Sequence, residues 1–360
     1  MLIPHSEIPF LDYSLSQRDK PAFIAQLRDK FINGGFVYLE KGPVPTEVID
    51  KMVDATTKFF ALPPEAKDAC DMNRVAHFNG YLRKGPAENP TREQFNYGDE
   101  NITLEEGSPE YHKIHGSTPW PDDALFPGCR AAMAEYYKHL KTLAMEFTGF
   151  VSEALGLAPD ALDQLLESDV SKRQLRCKLL CYPTCPPSTT GFVPHTDSNF
   201  LTYLLQPSEQ LGLEFQKPSG EWVGAPPIRG TYIVFVGIVL QKITHGLVKA
   251  PLHRVVSPTQ GTRYSVGFFQ GVSMDTKVAE AAAKFQFPQE VLDMKRAREE
   301  REGESTKEYV FTEADHLPAG EVVLNFKLKA HPLVAYKFYP NLFPKFHPDG
   351  LPAKYANAVH

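Results

Sequence analysis

Four shortages bound what this 360-residue chain can be. No apolar run reaches the roughly 18 residues that a membrane-spanning helix needs, so no crossing is expected. Positive charge is short: 38 Lys and Arg stand against 44 Asp and Glu, a formal net charge of -6. Phosphate neutralisation needs clustered cations, so nucleic acid is not an expected partner. Cysteine is scarce, and five is an odd number, which suits free thiols in a reducing compartment. Cys177, Cys181 and Cys185 lack the usual zinc-ribbon spacing and read as strand and loop residues. The opening MLIPHSEIPFLDYS lacks the basic start and apolar stretch of a secretory leader. The closing KYANAVH carries no lipidation or sorting tag. A cytoplasmic location is the resulting expectation.

Material for a large core is plentiful. The chain is 42% hydrophobic, with 24 Phe and 15 Tyr. IPFLDYS reads as a short strand. DKPAFIAQLRDKFINGG reads as a helix, with Pro21 in its first turn, Phe23, Leu27 and Phe31 on one face, and Gly34 and Gly35 to stop it. FVYLE is the next strand. A second helix is expected from Thr46, as cap, through the stripe Val48, Ile49, Met52, Val53 and Phe60. The segment 71–121 is rich in Asn, Gly and Pro and is expected to be looped. The longest helical pattern runs from Pro127 to Leu155, with Tyr136, Leu140, Leu143, Phe147, Phe150 and Val151 inward.

After about Ser171 the pattern changes to short strands separated by turn signals: RQLRCKLLCYP, NFLTYLLQ, GLEFQKPSGEWVGA, GTYIVFVGIVL and RYSVGFFQ. Such a series predicts a sandwich or jelly roll with helices of the first half covering one sheet. QEVLDMKRAREEREGESTKEY is expected to be a charged helix with a solvated tail. Neither a repeat nor a linker is evident. The reading is one α+β, mainly β domain over 1–360, with a helical half (1–170), a jelly-roll core (171–275) and a C-terminal helix and tail (276–360).

A possible metal site lies in GFVPHTDSNFLTYLLQ. His-x-acid occurs three times, at His5, His195 and His347. Only His195 and Asp197 adjoin a strand pattern, and in an extended chain residues two apart point the same way. The third ligand would come from His245, in a turn, or His253, directly after an apolar strand; His253 is preferred. In GTRYSVGFF, Arg263 and Ser265 also share a face. A guanidinium fork beside a hydroxyl suits a carboxylate. On RCKLLCYP, Arg176, Lys178, Leu180 and Tyr182 share a face, and inward cations there need an anion.

These motifs resemble those of the iron(II)- and 2-oxoglutarate-dependent dioxygenases of the isopenicillin N synthase-like superfamily. IPFLDYS, NGGFVYLEKGPVP and FFALPPEAK are similar to the N-terminal blocks. CYPTCPPS, HTDSNFLTYLLQ, GLEF, VKAPLHRV and RYSVGFF are similar to the catalytic half. The resemblance implies a double-stranded β-helix and a facial triad of His195, Asp197 and His253 holding iron(II). It implies that Arg263, Ser265 and Tyr182 hold 2-oxoglutarate, with Lys178 as a further basic residue of that cosubstrate site. Molecular oxygen is the co-reactant, and a small organic metabolite would be hydroxylated, desaturated or rearranged. Phe269 is similar to a substrate-stacking aromatic, and Phe78, Tyr81 and Phe95 are further candidates for the substrate pocket. Leu180, Cys181 and Ile238 depart from the pattern of plant members, and VKAP is closer to microbial antibiotic-pathway enzymes, which favours specialised metabolism. The rivals are an oxidase that needs no 2-oxoglutarate, an ethylene-forming enzyme, and a non-catalytic small-molecule receptor.

Overall fold

The computed structural model describes residues 2–85, 90–100, 102–167, 169–303, 309–353 and 355. Parts of the expected 71–121 loop, of the charged segment after Glu302 and of the closing KYANAVH lie outside them. Among the described residues, twelve strands form two sheets. They are β1 (Phe10–Asp12), β2 (Phe36–Glu40), β3 (Gly80–Lys84), β4 (Arg92–Gly98), β5 (Arg173–Tyr182), β6 (Thr190–His195), β7 (Leu201–Leu205), β8 (Leu213–Gln216), β9 (Trp222–Gly224), β10 (Tyr232–Val236), β11 (His253–Val256) and β12 (Arg263–Ser273). The major sheet has the order β1-β2-β10-β7-β12-β5-β4-β3, and the minor sheet β6-β11-β8-β9. This is the jelly-roll core that the strand series predicts.

Strands β7 and β10 are buried at every position. Both faces of the major sheet are covered there, so YIVFV, and LTYLL apart from Thr202, are apolar on both faces instead of alternating. One face meets helices. In Lys20–Asn33 the Asp19 carboxylate accepts from the Ala22 N–H, and Phe23, Leu27 and Phe31 are buried. The helix Cys129–Ala154 lies under β7 and β12, where Phe147 meets Tyr203 and Gln270 donates to the Thr148 hydroxyl at 2.9 Å. The other face meets the minor sheet through a second core that includes Tyr38, Leu204, Phe215 and Phe235.

Four expectations need correction. Thr46 is the first helical residue and makes no side-chain cap; Pro45 holds the cap position. The segment 71–121 contains the β3–β4 hairpin, which extends the major sheet from β5. Its polar residues Arg92, Gln94 and Asn96 alternate with Glu93, Phe95 and Tyr97, so both faces carry polarity and the apolar signal is diluted. The run GTYIVFVGIVL ends as a strand at Val236, and Ile238–Ile243 is helical. A Cβ on Gly237 would lie 1.9 Å from the Asn199 carbonyl oxygen, so the chain must turn at a glycine there. The region after 275 holds several helices, including Gln289–Glu302, Ala319–Ala330 and Pro332–Phe338.

The charged helix Gln289–Glu302 is not solvated all round. Arg298 is 1% exposed and donates to the carbonyls of Ile32, Leu247 and Gly246 at 2.9, 2.8 and 2.8 Å. It thereby ties three chain segments together. Arg298→Met is expected to cost about 3 kcal/mol of unfolding free energy, because buried carbonyls lose a charged donor. A urea titration reads this as a lower midpoint at unchanged slope; a loss under about 1 kcal/mol would show the clasp to be dispensable.

Candidate metal and diacid site

Strands β6 and β11 pair antiparallel with His253 directly opposite His195. The chain leaves β6 at His195 and bends after Asp197, so the carboxylate returns toward both rings. The Nε2 atoms of His195 and His253 lie 3.6 and 3.8 Å from Asp197 Oδ1, and the three donor atoms are all within 4.8 Å of one another. Donors so placed can share one ion at ligand distances of about 2 Å.

The outer atoms fit the same use. Nδ1 of His195 faces the Val193 carbonyl at 2.8 Å, and Nδ1 of His253 faces the Pro251 carbonyl at 3.1 Å. Each Nδ1–H donates to the carbonyl two residues back, which leaves Nε2 with a free lone pair. Burial pushes the His253 imidazole toward its neutral, ligating form. Burial opposes ionisation of Asp197, but His195, His253 and Thr202 together hold its carboxyl below the usual range. The Thr202 hydroxyl donates to Asp197 Oδ2 at 2.5 Å. Two imidazoles and a carboxylate on one side of an ion form the donor set of non-haem iron(II) oxygenases.

The strand register also gathers the diacid candidates. Arg263 lies opposite Tyr182, and Ser265 opposite Leu180. Arg263 is 1% exposed, and its guanidinium lies 5.3 Å from the Tyr182 ring centroid. Nη2 donates to Gln206 Oε1 at 2.9 Å, whereas Nε and Nη1 are buried without a hydrogen-bond partner. Such a fork is costly unless an anion meets it. A Cβ on Gly212 would lie 2.5 Å from the Val256 carbonyl oxygen and 3.0 Å from Arg263 Cδ, so the glycine of GLEF makes room for this side chain. Two orphaned guanidinium nitrogens beside Ser265 and Tyr182 fit one carboxylate end of 2-oxoglutarate.

The remaining candidates divide. Lys178 and Phe269 are on the cavity face of β5 and β12, with the Lys178 ammonium 5.1 Å from the Phe269 ring centroid. Lys178 is four residues from Tyr182 along β5, roughly 13 Å at strand rise. Tyr81 and Phe95 oppose each other on β3 and β4 and point the other way, into the helix-packed core. Phe95 packs 4.3 Å from Phe59, and the Tyr81 hydroxyl donates to Glu93 at 2.6 Å. These two are core residues because strand alternation turns them from the histidines. Phe78 is 0% exposed and packs against Tyr339 and His331 of the C-terminal helices. His245, the alternative ligand, faces the Ala282 carbonyl at 3.3 Å, away from Asp197. The reading from sequence does not reach Thr202, Gln206 or the C-terminal side chains. Thr202 and Gln206 lie four apart in the quoted TDSNFLTYLLQ, and the period of two places both on the cavity face.

The fold and donor set define the class of non-haem iron oxygenases on a jelly-roll core. Similarity to known proteins narrows this further. Residues 8–123 match the non-haem dioxygenase in morphine synthesis N-terminal family, and residues 173–272 match the 2OG-Fe(II) oxygenase superfamily. The chain is 33% identical over 354 residues to the 2-oxoglutarate-dependent dioxygenase frbJ of a Dothideomycetidae species, covering 93% of each chain. It is 29% identical to a 2-oxoglutarate-dependent dioxygenase of Gibberella zeae, over 94% of this chain and 92% of that one. Among solved structures, a full-length Neurospora crassa protein in complex with alpha-KG superposes with a TM-score of 0.68 at 21% identity, over 90% of this chain and 96% of that one. The chain belongs to the 2-oxoglutarate- and iron(II)-dependent dioxygenase family and is an enzyme that uses iron(II), 2-oxoglutarate and oxygen. Among the described residues no helix is long and apolar enough to cross a membrane.

The hydroxyl beside the metal donors can be tested directly. Thr202→Val is expected to weaken iron(II) binding about 10- to 100-fold, the usual cost of losing a partner of a metal ligand. Anaerobic calorimetry measures it, and wild-type affinity would remove Thr202 from the site. A second prediction concerns pH. Burial, followed by the charge of Arg176, pushes the imidazoles of His77 and His115 down to about 4 and about 3. Burial and the charge of Lys327 push His331 down to about 3. The unfolded chain takes up these protons near 6.5, so it binds more protons than the folded one below that value. Stability should therefore fall as pH drops from 6.5 toward 4, and His115→Gln should flatten the slope of urea midpoint against pH. An unchanged slope would show that His115 titrates freely.

Proposed function

We propose that His195, Asp197 and His253 hold the iron(II), and that Arg263, Ser265 and Tyr182 receive the distal carboxylate of 2-oxoglutarate. The substrate is a small organic metabolite that enters the same cavity. One observation carries the reading: a buried guanidinium with two unpaired nitrogens stands opposite Tyr182, on the face of the major sheet that meets the minor sheet, and the minor sheet brings three metal donors together. The iron(II) and 2-oxoglutarate supply the oxidising chemistry, in which oxygen is reduced, the cosubstrate becomes succinate and carbon dioxide, and a C–H bond of the substrate is broken.

The protein's part is placement. The carbonyls of Val193 and Pro251 orient the imidazoles, and Thr202 fixes the carboxylate. Gln206 aims the guanidinium. Phe235 packs 5.0 Å from the His253 ring and Phe215 packs at 5.9 Å, which excludes water from the inner side of that ligand. In such surroundings the attraction between guanidinium and carboxylate is little screened. The chain is read as one catalytic unit, with helices of its first half and of its C-terminal region around the jelly roll.

Arg263→Met is expected to raise the KM for 2-oxoglutarate at least about 100-fold, the cost of leaving a bound carboxylate unpaired. Arg263→Lys should recover only part of this, since lysine lacks the fork. Succinate release and oxygen uptake measure both variants. Uptake that proceeds without 2-oxoglutarate would favour an oxidase, ethylene in the headspace would favour breakdown of 2-oxoglutarate itself, and iron binding without turnover would favour a receptor.

A further inference from the structure

A second group of cations lines the cavity beyond the metal donors, and the proposed function gives it no task. Arg176 and Lys178 project from the cavity face of β5, opposite Phe269 and Gly267 of β12. The C-terminal helix Ala319–Ala330 brings Lys327, whose ammonium lies 5.0 Å from the Phe78 ring centroid. Phe78 fixes how these groups meet. Its carbonyl accepts from Asn96, which is opposite Lys178. The preceding carbonyl, of His77, accepts from Arg176. Phe78 adopts a left-handed φ of 58°, a strained conformation for a bulky side chain and one that concentrates at functional sites.

Among the described residues, Arg176, Lys178 and Lys327 form no ion pair; Arg176 donates only to the carbonyls of His77 and Ile114. All three keep some exposed surface, so they border open space and are not sealed in the core. Burial, followed by the charges of Arg176 and Lys178, holds the Lys327 ammonium well below its ordinary range. Burial likewise pushes Lys178 down to about 8, and Asp197 is the acid that opposes this.

The charge balance of the loaded site leaves these cations over. Iron(II) with Asp197 carries one net positive charge, and Arg263 carries another. The two carboxylates of 2-oxoglutarate balance both. Nothing of the metal and cosubstrate is left to neutralise Lys178, Lys327 and Arg176. Unpaired, partly buried cations of this kind are a receptor for an anion.

We infer that the primary substrate is an organic acid whose carboxylate is received between Lys178 and Lys327, with Arg176 behind them. Lys178 is thereby a substrate residue and not a partner of the distal carboxylate of 2-oxoglutarate. The half-buried ring of Phe269, against Lys178, covers the carbon skeleton between acid group and metal. This inference rests on the proposed function, because the charge balance assumes the metal and diacid assignments.

The test separates the two. Crystals of the full chain with iron(II) and 2-oxoglutarate, kept anaerobic, are soaked in sodium bromide. An anomalous bromide peak in contact with the Lys178 and Lys327 ammonium groups is expected, and it should vanish in Lys327→Met and return in Lys327→Arg. In parallel, carboxylic acids and their methyl esters are screened as matched pairs for succinate release. Each acid that is turned over should lose at least about 30-fold in kcat/KM as its ester, and a similar factor in Lys327→Met, while the Kd of 2-oxoglutarate by calorimetry moves less than about twofold, since a buried charge pair binds far more tightly than its broken form. No bromide at this position, or esters turned over as well as acids, would overturn the inference and leave the proposed function standing. Failure of wild-type protein to bind 2-oxoglutarate would instead overturn the proposed function.

Discussion

The structure depends first on the register between β6 and β11. His253 is opposite His195, and both rings reach one carboxylate oxygen; beyond this pair the ladder is irregular, with register shifts between His253 and Val255 and between Val255 and Val256. Side chains alternate with a period of two, so a slip of one residue would turn His253 out of the cavity and bring Leu252 or Arg254 in. The register is protected from both sides. Val255 packs between the sheets, and β8 pins β11 along its other edge through His253 opposite Phe215 and Val255 opposite Leu213. Arg254 points the opposite way, to Glu214 at 2.6 Å and over the Trp222 ring. A slip would bury that cation and expose those apolar groups, so the packing that stabilises the minor sheet also fixes the ligand geometry.

The same logic governs β5 and β12 on the major sheet. Their ladder runs from Arg263 opposite Tyr182 past Phe269 opposite Arg176 to Ser273 opposite Arg173. It sets two cationic stations on one face, Arg263 at one end and Arg176 with Lys178 farther along. The reverse face carries Cys177, Leu179 and Cys181 into the helix-packed core. Apolar side chains on one face thus hold polar ones in place on the other, which lets a strand bear charges inward without losing its position. Gly267 belongs to this arrangement, since a Cβ there would lie 2.8 Å from the Phe269 ring.

Much of this is legible in the chain. The three metal donors, Arg263, Ser265 and Tyr182 can be reached because strand alternation converts spacing into direction. The resemblance then supplies the partner strand for His253, which spacing alone does not choose. Tyr81 and Phe95 are misplaced by the sequence reading for the opposite reason: it does not see β3 and β4 as strands, so no alternation can assign their faces. Thr202 and Gln206 are within reach of the same rule. Lys327 and His331 are not. They come to the cavity by the packing of C-terminal helices around Phe78, Leu324, Leu328, Val334 and Tyr339, and nothing in the local pattern of NFKLKAHPL says which lysine turns inward.

That packing explains how the charged end of the cavity is tolerated. Lys327 lies one residue before Leu328, which is fully buried, and four before His331, which packs on Phe78. The apolar contacts of the helix therefore carry its ammonium inward whether or not an anion is present. His331 stays neutral there and adds no further charge. The mutual repulsion among Lys178, Lys327 and Arg176 would be relieved by an anion received between them. Stability is thus given up locally at the one place where binding can return it, and the major-sheet ladder and the C-terminal core bear the difference.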